Sequence, residues 1–159
     1  MVDNFDSAGS GKITVEGEGK LVFVINDTFE FSGNSSFNAD GLQDSLLLLY
    51  KGEDTFKFGG SQEFTGSIYI EKADLELRGS SSDAGNIIVG GDLVDFSGTA
   101  DLGSSLLYAP LAELTLNGNT TAKGKIIAKT VTMSGSAEIS FMPVTLSEEF
   151  YWDPYISGE

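Results

Sequence analysis

A short pattern recurs along this chain: an apolar residue, any residue, an apolar residue, any residue and then a glycine. From Gly60 onward the glycines of this pattern are separated by 19, 19, 20 and 17 residues. Because strands this short cannot bury an apolar face alone, their even spacing indicates coils that stack into a solenoid. The pattern occurs at Ile13–Gly17, Phe29–Gly33, Phe56–Gly60, Leu75–Gly79, Val94–Gly98, Leu114–Gly118 and Val131–Gly135.

A second feature lies between these occurrences, a glycine followed closely by an aliphatic run, as in Gly66–Ile70 and Gly124–Ala128. Each period therefore contains at least two short strands, and Leu46–Leu49 also fits a buried strand. We predict an all-β fold, a single-stranded parallel β-helix of about 19 residues per coil, right-handed by analogy. A β-sandwich is less favoured, because equivalent positions in successive periods carry the same class of residue.

The spacing also divides the chain. Residues 11–141 are predicted to form the β-helix, after a flexible segment at 1–10 that is rich in Asp, Ser and Gly. The interval from Gly33 to Gly60 is 27 residues, which predicts a loop near 38–45. Residues 142–159 leave the repeat, and their aromatic residues fit a cap on the last coil or, less well, a docking segment. Those aromatic residues are Phe150, Tyr151, Trp152 and Tyr155.

Charge limits the possible partners. The formal net charge is −15, with nine basic residues and no histidine. Nucleic acid is not expected as a partner, because binding to phosphates needs clustered Lys and Arg. No apolar run is long enough to span a bilayer, so direct membrane insertion is not expected either. We expect a monomer unless the coil ends stack.

The side chains offer little chemistry. Without His or Cys, most nucleophilic triads and the common zinc sites are missing. A carboxylate pair on adjacent coils, Glu76 and Asp95, leaves glycoside cleavage as a minor alternative, but we expect no enzymatic activity. Calcium takes oxygen ligands alone, yet Asp40–Asp44 and Asp92–Asp101 match neither the EF-hand loop nor the β-roll nonapeptide. No cofactor is predicted, and calcium remains a weak alternative.

One part of the repeat resembles a known family. The segments Leu107–Gly118, Gly124–Gly135 and Ala137–Phe141 resemble the β-helical domain near the C-terminus of PilX-like pilus-assembly proteins and related anchored bacterial surface proteins. This resemblance implies an extracellular or cell-surface module in pilus-like or adhesive machinery, without catalytic residues. The partners it implies are other surface or pilus proteins or glycans. The glycine-cornered coils are also loosely similar to those of bactofilins, which polymerise end to end.

These observations predict a non-catalytic structural or adhesive module of a bacterial surface or pilus-like assembly. The alternatives are a self-assembling bactofilin-like filament subunit and a carbohydrate-active β-helix enzyme. Binding is expected along an elongated side of the solenoid, and no single face is predicted. One projected row of outward residues comprises Glu30, Lys57, Glu76, Asp95, Thr115 and Thr132.

Overall fold

The computed structural model of the chain describes residues 1–79 and 82–141. It is a parallel β-solenoid of about seven turns with roughly 20 residues per turn, so the predicted fold class is confirmed. Every strand pairing in it is parallel and joins a strand to the equivalent strand of a neighbouring coil. The strands are β1 Val2–Ser7, β2 Lys12–Ile13, β3 Leu21–Phe31, β4 Ser36–Phe37, β5 Leu46–Tyr50, β6 Phe56–Gly60, β7 Glu63–Ile70, β8 Leu75–Gly79, β9 Ser82–Val89, β10 Leu93–Gly98, β11 Asp101–Gly118, β12 Thr121–Met133 and β13 Glu138–Ser140.

Each coil contributes three strand segments, and the stacked segments form three faces that we name A, B and C. Face A consists of β1, β6, β8 and β10 with the C-terminal ends of β3, β11 and β12. Face B consists of β2, β4 and β13 with the starts of β7, β9, β11 and β12. Face C consists of β5, the start of β3, the ends of β7 and β9, and the middles of β11 and β12.

A column of glycines forms the corner between faces A and B. Their φ angles lie between +73° and +101°, in the left-handed region that glycine enters without a steric penalty. The coils approach closely here, since a Cβ placed on Gly98 would lie 2.9 Å from the backbone N and O of Gly79. At four of these corners the amide after the glycine donates to the carbonyl of the glycine one coil earlier, as Asn119 does to Gly98 at 2.8 Å. The column comprises Gly9, Gly33, Gly60, Gly79, Gly98, Gly118 and Gly135.

The core lies inside the stacked coils and changes character along the axis. In the first coils it is aromatic: the rings of Phe29 and Phe56 stack with their centroids 4.3 Å apart. Farther along, the same core row continues as Leu75, Val94 and Leu114, all completely buried. Alternation along each strand places every second side chain in this core, as expected for strands with one buried face.

The first coil differs from the sequence prediction. Residues 1–10, assigned to a flexible segment, contain strand β1, which pairs with β3 through Phe5 and Phe29. Gly9, and not Gly17, therefore begins the glycine column, while Ile13 pairs with Phe37 on face B. The apolar-x-apolar-x-glycine pattern does not extend to this coil, because Ser7 occupies the second apolar position.

The long interval between Gly33 and Gly60 contains a loop after β4 and a 3-10 helix, Gln43–Ser45. Asn38 has a φ of +56° and is buried, and its Nδ2 donates to the carbonyl oxygen of Thr65 at 2.9 Å. The same nitrogen donates to the Ser45 hydroxyl at 3.1 Å. One amide thus ties the loop to the next coil, and Leu46–Tyr50 then re-enters the solenoid as β5.

Candidate interaction surface

The projected outward row lies on face A. Strand register aligns each of its residues with the next, and the structure adds Asp6 at the N-terminal end, opposite Glu30. The six projected residues are therefore neighbours in one column, and their role in binding stays a prediction. The aligned pairs are Glu30 with Lys57, Lys57 with Glu76, Glu76 with Asp95, Asp95 with Thr115, and Thr115 with Thr132.

Ion pairs neutralise the middle of this column. The Oε2 atom of Glu76 lies 3.3 Å from a guanidinium nitrogen of Arg78 and 3.8 Å from Nζ of Lys57. Asp95 stands on the next coil, and its Oδ1 is buried without a hydrogen-bond partner among the described residues. The carboxylate pair predicted for the enzyme alternative is therefore adjacent, but one member is already engaged by two cations.

An open cleft of about 550 Å³ interrupts face A between the second and third coils. Glu30, Lys57, Asp54 and Tyr50 lie on its walls. The Tyr50 hydroxyl donates to the backbone oxygen of Asp54 at 3.0 Å. Burial, and then the nearby carboxylates of Asp54 and Asp27, raise the pKa of Tyr50 above 10.0.

The acidic segments considered for calcium do not come together. In residues 1–79 and 82–141 no group of three carboxylates is close enough to hold a metal ion. Asp40 instead forms an ion pair with Lys12 at 3.2 Å. The absence of a cofactor, with calcium as a weak alternative, stays a prediction. No helix in the described part of the chain has the length and hydropathy required to cross a bilayer.

Face C has an apolar outer surface that is not among the predicted binding residues. Its outward side chains form a continuous column in strand register, and three of them, Tyr69, Tyr108 and Ile127, are 37%, 41% and 45% exposed. A contiguous exposed apolar patch of this kind is typical of an interaction site. The full column is Val24, Leu49, Tyr69, Ile88, Tyr108 and Ile127.

Face C is also the least acidic part of the molecule. Its six strand segments contain one charged residue, Lys125, in a chain with 24 acidic residues. Within two residues of these segments lie five further basic residues and only three acidic ones, Asp27, Asp44 and Glu71. The apolar column therefore has a predominantly basic border on a protein whose net charge is −15. The five bordering basic residues are Lys20, Lys51, Lys72, Lys123 and Lys129, of which Lys123 forms an ion pair with Asp101 at 3.6 Å.

The predicted cap residues Phe150, Tyr151, Trp152 and Tyr155 lie outside the described residues. The segments that carry the family resemblance lie mainly in β11 and β12, where Tyr108 is aligned with Ile127 and Ala109 with Ala128. Comparison with protein-family models, with curated proteins and with solved structures found no match. The relationship to PilX-like proteins and to bactofilins stays a prediction.

Proposed function

We propose that this chain is a non-catalytic structural and adhesive module of a bacterial surface or pilus-like assembly, and that it contacts a neighbouring component through face C. The observation that carries the proposal is the outward apolar column from Val24 to Ile127. A stacked solenoid holds such a column rigid, so little conformational entropy is lost when a partner binds.

The charge around face C indicates the chemistry of the partner surface. Because the border of face C is mainly basic, a complementary surface carries an apolar stripe flanked by carboxylates. Other components of a surface assembly are the partners that fit this chemistry, in agreement with the family resemblance. The two exposed tyrosines, Tyr69 and Tyr108, stand two coils apart and are residues of the type that dominates interface energetics.

The test replaces both tyrosines by lysine in the source bacterium. Loss of two aromatic anchors is expected to weaken binding by about 100-fold or more. We therefore expect the Tyr69→Lys/Tyr108→Lys variant to be lost from the cell-envelope fraction. The matched control is Thr115→Lys/Thr132→Lys, which adds the same charge to face A. Circular dichroism of the purified variants verifies that both retain the fold.

The control is expected to remain in the envelope fraction. Equal retention of both variants, or release of the face A variant alone, contradicts a role for face C. Equal release shows that added positive charge, not the face, determines attachment. A soluble cytoplasmic native protein contradicts the proposed location.

A filament subunit is the second candidate, since both ends of the described solenoid have free strand edges. Among the described residues, no strand pairs with the outer edge of β1, and β13 covers the outer edge of β12 only at Thr121–Lys123, which leaves that of Lys125–Met133 free. Free strand edges of this kind pair with strands of another chain unless they are covered. Light scattering on a size-exclusion column separates the candidates: a mass independent of concentration supports the displayed module, and growing rods support the filament.

A further inference from the structure

Apolar core positions are exposed at the end of the last described coil. Val131 and Met133 continue the buried rows of Leu114 and Leu116, yet they are 47% and 45% exposed. Ile126, in the same coil, is only partly buried. The equivalent residues of inner coils are covered by the next coil, so this end of the core lacks one layer of packing.

We propose that residues 142–159 of the same chain cover this end, with Trp152 and its aromatic neighbours packed on Val131 and Met133. The described chain ends at Phe141, directly after β13 of the last coil. Trp152 lies 11 residues farther along, a span of up to about 36–40 Å when extended. One complete face segment, β10, has six residues, or about 20 Å, so this span is long enough to reach Val131 and Met133.

Charge favours the same docking. The segment 142–159 contains four acidic residues and no basic one, whereas β12 contains Lys123, Lys125 and Lys129 without an acidic residue. Lys125 and Lys129 are exposed. Opposite charges at the border of an apolar contact fix its orientation. They also disfavour docking of a second copy of this chain at the coil end, because that copy would bring its own acidic faces close. The cap thus closes the end at which a filament would grow.

The sole tryptophan of the chain provides the measurement. In the full-length protein, Trp152 fluorescence is expected at shorter wavelength than in the urea-unfolded chain, with several-fold weaker quenching by acrylamide. Val131→Asp is expected to shift the emission to longer wavelength and restore quenching. Val22→Asp, on the first coil of face C, is the matched control and leaves the emission unchanged.

Val131→Asp also risks unfolding the last coil, so a surface variant provides an independent test. Lys125→Glu/Lys129→Glu is expected to increase quenching of Trp152 while the circular dichroism stays native. Equal quenching of Trp152 in native and unfolded protein overturns the proposal. Protection of Trp152 that appears only at high protein concentration also overturns it, because this result indicates a second copy. So does protection that responds to Tyr108→Lys and not to Val131→Asp, because this result places the tail on face C.

Discussion

Substitution of one glycine in the A–B corner column tests how the coils are held together. In Gly98→Ala the new Cβ meets the backbone of Gly79 at 2.9 Å, and the residue must keep a φ of +95°. The left-handed conformation costs alanine about 1–2 kcal/mol, and displacement of a packed backbone costs about 1–3 kcal/mol. The free energy of unfolding is therefore expected to fall by about 2–5 kcal/mol.

Two further glycines separate the two contributions. Gly9 has a φ of +85° and open space around its Cβ position, so Gly9→Ala is expected to lose only the conformational part, about 1–2 kcal/mol. Gly59 has open space and no left-handed φ, so Gly59→Ala is expected to be neutral or to stabilise by about 0.4–1 kcal/mol. Urea unfolding followed by circular dichroism measures all three. Equal stability of the Gly98 and Gly9 variants refutes the close approach of stacked corners.

Two other substitutions test buried polar groups. Asp95→Thr removes a buried oxygen without a partner and a like charge beside Glu76, and is expected to stabilise the fold by about 1 kcal/mol; a lower urea midpoint contradicts this. The pKa of Tyr50 is raised in the folded state. The stability that this shift contributes is therefore complete below the unfolded pKa of 10.0 and is lost as pH rises through the folded pKa. Tyr50→Phe is expected to cost about 1 kcal/mol at neutral pH and to lose less stability than the native chain as pH rises above about 10; parallel pH profiles contradict a raised pKa of Tyr50.

Most of the solenoid is predictable from the sequence because its corners constrain residue type locally. The column from Gly60 to Gly135 follows directly from the repeat, since only glycine fits both the positive φ and the close approach. The register of face A follows from counting back from those glycines, which places Glu76 beside Asp95. The first coil cannot be identified by counting from the repeat glycines, because Ser7 interrupts the apolar pattern.

Face C is harder to recognise in advance. Its outward residues, such as Ile88 and Tyr108, stand beside inward apolar residues, so each strand appears as an unbroken apolar run. Such a run does not reveal which side chains face outward until the register is known. The absence of acidic residues from all six segments was nevertheless a usable signal in a chain with 24 of them.

Thiol labelling on intact cells tests the functional proposal most directly, because the native chain has no cysteine. Tyr108→Cys places one thiol on face C, and Thr115→Cys places another on face A of the same strand, β11. With a membrane-impermeant maleimide, we expect Thr115→Cys to be labelled on cells and Tyr108→Cys to be labelled only after purification. Equal labelling of both thiols on cells contradicts a covered face C, and labelling of neither contradicts display at the surface.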